Sequence, residues 1–121
     1  MKGPEMIEQL VINFEIETDE SIYDLELKID CFKTYYIAYI ESKKYSNKLS
    51  TTFFSIKNKD KKLFEETIKQ LICEELLEEL TIKGDILNEK EKIKSKKHLN
   101  DLYKGIMPKI LKHYFTDEVI N

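Results

Sequence analysis

With 121 residues, 41% hydrophobic and 36% charged, the chain is long enough to bury one core without disulfides or metals, and too apolar to remain unfolded. Its formal net charge is −3 and all 20 basic side chains are lysine. The lack of arginine disfavours a reader of nucleic-acid sequence, because the guanidinium fork is the usual bidentate partner of guanine and phosphate.

No apolar run approaches the roughly 20 residues of a membrane helix. The first six residues, Met1 to Met6, carry no apolar segment of the kind that begins a secretory signal. A cytoplasmic protein with no membrane association is therefore the expectation. Ile, Lys, Asn, Tyr and Phe are abundant and Trp is absent, a bias that AT-rich coding leaves. A low-GC bacterium, or a phage or other mobile element within one, is the expected source.

Charge falls in alternating blocks. Residues 1–31 carry 9 acids and 2 lysines, and residues 32–62 carry 2 acids and 8 lysines. Residues 63–80 are again acidic, with 6 acids and 1 lysine, and residues 88–112 basic, with 3 acids and 8 lysines.

The first half reads as strands. Leu10, Ile12, Phe14 and Ile16 alternate with Val11, Asn13, Glu15 and Glu17, a period of two. Thr18 to Ser21 is a turn candidate, and Tyr23, Leu25, Leu27, Ile29 and Cys31 then alternate with Asp24, Glu26, Lys28 and Asp30. These two segments predict a hairpin. Tyr35 to Ile40 is apolar on both faces, as an interior strand is, and Leu49 to Ile56 predicts a fourth strand. Ile22, Leu25, Ile29, Phe32, Tyr36 and Tyr39 also fit helical spacing. The stricter period of two over 23–31 favours strand, and with no turn signal between 31 and 35 one long bent strand is an alternative.

The second half reads as helices. Asn58 or Asp60 is placed to cap a helix from Lys61 to about Ile82, which Gly84 ends. At about 100° per residue, Leu63, Phe64, Ile68, Leu71 and Ile72 share one face, while Cys73, Leu76, Leu77 and Leu80 centre roughly 150° away. Two such faces predict one packed on the sheet and the other on a neighbouring helix. Asn88 is the next cap candidate. Glu89 to Lys97 is nearly all charged, and Leu99, Leu102, Tyr103, Ile106, Met107, Ile110, Leu111 and Tyr114 form an apolar stripe beyond it. Pro108 predicts a kink or break near 105–108, since it removes a donor and crowds the preceding turn. The fold expected is a single α+β domain over 1–121. An N-terminal antiparallel sheet of three to four strands (about 6–57) is followed by two to three helices (about 60–116) packed on one face.

Chemistry-bearing motifs are sparse. Gly3, Gly84 and Gly105 never cluster, so no phosphate-cradling glycine loop is legible. Cys31 and Cys73 stand apart from each other and from His98 and His113, which predicts two buried free thiols and no zinc site. The pairs Glu65/Glu66, Glu74/Glu75 and Glu78/Glu79 read as a solvated helix face rather than a metal site. No cofactor, no metal and no catalytic residue is expected.

Two surfaces remain as candidates. If the first hairpin pairs as expected, Glu15, Glu17, Asp24, Glu26 and Asp30 share one sheet face. Like charges across strands cost stability, so Lys28, a lysine-rich element folded over them, or an outside basic partner should offset them. The lysines Lys90, Lys92, Lys94, Lys96 and Lys97 form an alternative basic surface, with Lys57, Lys59, Lys61 and Lys62 a second run and Tyr45 and Tyr103 as stacking candidates. The expectation from elimination is a non-enzymatic protein-binding module, of the immunity-protein or phage-borne inhibitor type, that blocks a basic partner protein with an acidic surface. A subunit or homo-oligomerisation module is one alternative, and an accessory factor contacting nucleic acid through its lysine runs is another, disfavoured by net charge.

Overall fold

The computed structural model describes residues 5–43, 48–57 and 59–115. Four strands, β1 (Glu8–Glu17), β2 (Ile22–Cys31), β3 (Tyr35–Ser42) and β4 (Phe54–Lys57), pair antiparallel in sequential order. Then come α1 (Lys61–Gln70), a π-helical turn over Leu71–Glu75, α2 (Leu76–Ile82) and α3 (Glu89–Tyr114). This is the α+β arrangement that the two periodicities predict.

Register decides which side of the sheet is buried. Leu10 faces Ile29, Ile12 faces Leu27 and Phe14 faces Leu25, while Ile29 and Leu27 face Ala38 and Ile40 of β3. These inward rows meet Phe64, Ile68, Leu71, Ile72, Leu76 and Leu80 of the helical layer in one core. Leu25, Leu27, Ile29, Ala38 and Ile40 are fully buried. The helices therefore cover one face only.

Turn chemistry sets the hairpins. The Thr18 hydroxyl accepts from the amides of Glu20 and Ser21, and the Thr18 amide donates to the Ser21 carbonyl at 2.8 Å. Residues 22–41 form two strands, neither a helix nor one bent strand. The Phe32 amide donates to the Tyr35 carbonyl at 2.9 Å across Lys33–Thr34, and Phe32 and Tyr35 stack at 4.8 Å. Neither Lys33 nor Thr34 has positive φ. The turn thus has no need of the Asn-Gly signal whose absence suggested continuity.

The fourth strand is shorter than expected from 49–56. Ser50 bridges Glu41, whereas Phe54 pairs with Ala38, so the β4 side holds one residue more than β3 between the two contacts. This is a bulge. Thr51 spans it: its amide donates to the Ile40 carbonyl, and its hydroxyl accepts from the Ile40 amide at 2.9 Å. The extra residue turns Phe53 onto the uncovered face of the sheet, where it stacks on Tyr39 at 4.2 Å.

Asp60 caps α1, its carboxylate accepting from the Leu63 amide at 3.0 Å. The rival cap Asn58 lies outside the described residues. At the far end Gly84 takes φ 85°, and the Asp85 amide reaches the Leu80 carbonyl. The same chain reversal brings the Gly84 amide to Thr81, a glycine-closed helix end. Between them the rod meets β4 through α1 and meets α3 through the π-helical turn and α2, as two apolar faces predict, and the turn brings those faces closer together. It accommodates one more residue than an α-turn, which rotates all that follows back by about 100°. Phe64, Ile68, Leu76 and Leu80 consequently reach the same core.

Pro108 does not break α3, which runs unbroken over 26 residues. Lys104, Gly105 and Pro108 are exposed, so water can serve the carbonyl that loses its donor. The charged stretch 89–97 is the helix's first turns, capped by Asn88 accepting from the Glu91 amide.

Candidate functional site

The outward rows of the sheet are built by the same alternation that builds the core. From β1 to β3 they carry Glu15, Glu17, Asp24, Glu26, Asp30 and Glu41, with Lys28 among them. All five carboxylates singled out from sequence lie on this face. Glu41 is a sixth, legible only once Ile37 and Tyr39 of β3 are known to face outward.

Two acid pairs stand directly opposite each other, Glu15 with Asp24 and Glu26 with Glu41. Neighbouring strands bring such partners to within about 4.5–5.5 Å at Cα, where like charges repel. Lys28 sits beside the second pair. It donates to Glu41 and lies 4.0 Å from Glu26. The Glu41 hydrogen bond holds the Lys28 ammonium more strongly protonated than usual, against the opposing effect of burial. Gln9 donates to Asp30 at 2.8 Å. Tyr35, Ile37, Tyr39 and Phe53 flank the acids on the β3–β4 side, and Phe53 is 65% exposed.

The basic block of the second half is not folded over this face. Lys90, Lys94, Lys96 and Lys97 project from α3, which belongs to the helical layer, and Lys92 is half-buried. Lys94 reaches Asp19 in the β1–β2 turn at 3.5 Å. Tyr103 lies under Lys69 at 6.0 Å, and Tyr45 is outside the described residues.

A cavity of about 260 Å³ opens between that turn, Asp85 and the first half of α3, and His98 lines it. Several of its polar groups bind one another or the backbone. Asp19 takes Lys94, Glu91 accepts from the Leu87 amide at 2.7 Å, and the buried Asp85 carboxylate accepts from the Tyr23 hydroxyl. Burial, then the Asp85 bond, pushes the Tyr23 phenol up to about 12.

The remaining candidates lie scattered. His113 meets Glu8 at 2.8 Å on the surface. Cys31 and Cys73 are free, but half-buried rather than buried, and burial raises both thiols. Glu66, Glu74 and Glu78 point to solvent from the helix rod, with Glu65, Glu75 and Glu79 half-buried beside them. Among the described residues no group of three or more His, Cys, Asp or Glu is placed to hold a metal, and no helix is long and apolar enough to cross a membrane.

Compared with known proteins, the chain matches no family model, no curated protein and no solved structure.

Proposed function

We propose that the protein is a non-enzymatic binding module that docks a basic protein partner on the uncovered face of its sheet, in the manner of an immunity-type or phage-borne inhibitor. The observation that carries this reading is the registration of Glu15 against Asp24 and of Glu26 against Glu41 on one face. A sheet placed there for stability alone would gain by alternating its charges. A partner with lysine or arginine at the matching positions would relieve the repulsion on binding, and the acidic field would speed its approach. The exposed Phe53, stacked on the half-buried Tyr39, supplies an apolar anchor at the rim of the same face.

The test is affinity capture from a low-GC bacterial lysate across a salt series, followed by the same capture with Glu15, Glu17, Asp24 and Glu26 all changed to Lys. One stoichiometric basic protein, held at moderate salt and lost with the reversed face, supports the proposal. Unchanged capture by the reversed variant sinks this face as the interface. Nucleic acid that elutes steeply with salt would move the function to the lysines of α3.

The Phe53–Tyr39 stack also favours a second reading, a subunit of a larger assembly that seals this patch. Loss of the assembly on Phe53→Ser, with the acidic residues intact, would separate the two.

A further inference from the structure

We propose that β1 is a strand acceptor, and that the partner supplies an extended segment in which apolar and basic residues alternate. The inference rests on the reading of the protein as an acidic binding module, and adds which part of it binds and what it binds.

β1 and β4 are the two edges of the sheet. β4 is protected in the ways edge strands usually are: it is four residues long, follows a bulge and ends in Lys57. β1 is neither short nor lysine-bearing, and its charges are the acids Glu8, Glu15 and Glu17. Its ten residues hold no Pro, Gly or Lys, and they pair with β2 without interruption from Glu8 to Glu17. Among the described residues it pairs on that side only.

The hydrogen-bond phase shows what the edge offers. The Thr18–Ser21 bond belongs to the same register as β1–β2, so even-numbered residues of β1 turn their amides and carbonyls towards β2. Gln9, Val11, Asn13, Glu15 and Glu17 therefore turn theirs to the open edge. This is a row of donors and acceptors spaced for another strand.

The side chains define the incoming strand. On the helix-covered side, Leu10, Ile12 and Phe14 are only half-buried, whereas their partners Ile29, Leu27 and Leu25 are completely buried. An added strand with apolar residues on that side would complete the core along this half-buried row. On the other side it would meet Glu15 and Glu17, with Asp24 and Glu26 behind them, and basic side chains fit there. A second copy of this chain would instead join two acidic faces into one.

The probe is a synthetic nine-residue peptide of alternating Lys and Val, compared with a block isomer of identical composition, both titrated at low salt. The alternating peptide should bind at least about tenfold more tightly. It should slow hydrogen exchange at the amides of Val11, Asn13 and Glu15. Asn13→Pro removes one edge-facing amide and leaves the β2 ladder intact, so it should weaken the alternating peptide by a similar factor while the far-ultraviolet dichroism is retained. The exchange measurement on the unaltered protein stands even if that variant unfolds. Equal affinity for the two peptides, with no protection of β1, overturns the strand acceptor and leaves the acidic-face reading in place. Binding of neither peptide overturns the strand acceptor, and capture with the charge-reversed face then decides the acidic-face reading separately. Protection of the β1 amides that rises with protein concentration in the absence of peptide overturns the basic segment in favour of a second copy.

Discussion

The two faces of the sheet are written in the same strands, residue by residue, yet they obey different rules. The inward rows hold aliphatic and aromatic side chains in a core that the helices close. The outward rows set acid opposite acid at Glu15–Asp24 and Glu26–Glu41, with Lys28 between strands as the local counterion. Packing explains the first face fully. The second sets acids opposite one another with Lys28 and Gln9 as local partners, and core packing does not account for that choice of residues.

The comparison can be sharpened by substitutions on either side. The largest effect belongs to the inward row: Leu27→Ala, at a completely buried position, should lower unfolding free energy by about 3 kcal/mol in denaturant titration. Tyr23→Phe should cost about 2 kcal/mol, because it leaves the buried Asp85 carboxylate without its hydroxyl donor. It should also change the alkaline limb. Folding lifts the Tyr23 phenol from its ordinary value of about 10 to about 12, so the folded state holds this proton more tightly than the unfolded chain. That contribution is complete below pH 10 and is lost as pH rises towards 12. The variant should show a shallower decline across that window in a pH series of thermal melts.

Outward substitutions should be smaller and salt-dependent. Lys28→Met removes the cation between Glu26 and Glu41 and should cost about 1 kcal/mol at low ionic strength, less in 0.5 M salt. Glu15→Gln should have the opposite sign, raising stability by a few tenths of a kcal/mol through relief of Asp24. A loss of stability on Glu15→Gln would break the comparison, since it would make the acid pair a structural asset.

Much of this was legible before the fold was known. A period of two over Leu10–Glu17 and Tyr23–Cys31 places the inward residues of β1 and β2 and five of the six outward acids, because alternation alone assigns faces once a hairpin is granted. Glu41 escaped because Tyr35 to Ile40 is apolar on both sides, and such a run carries no face label. The bulge at Thr51 and the π-helical turn at Leu71–Glu75 escaped for one shared reason. Each adds a residue to a regular repeat, and a periodic pattern read along the sequence does not show where the repeat is offset. Pro108 misled in the other direction: its cost depends on whether water can reach the orphaned carbonyl, which a linear sequence does not state.

The π-helical turn has a consequence for insertion and deletion. It behaves as a one-residue insertion that the helix absorbed without turning its apolar stripe away from the sheet. Deleting the exposed Glu74 should let the rod anneal into uninterrupted α-helix, with Phe64, Ile68, Leu76 and Leu80 still aligned. The shortened protein should fold and melt within a few degrees of the parent. The same deletion made at Glu66 would swing the buried Phe64 out of line with Ile68 and empty the top of the core. A helix that can lose a residue at one place, and not eight positions earlier, has a point along its length where residue number and core alignment are uncoupled.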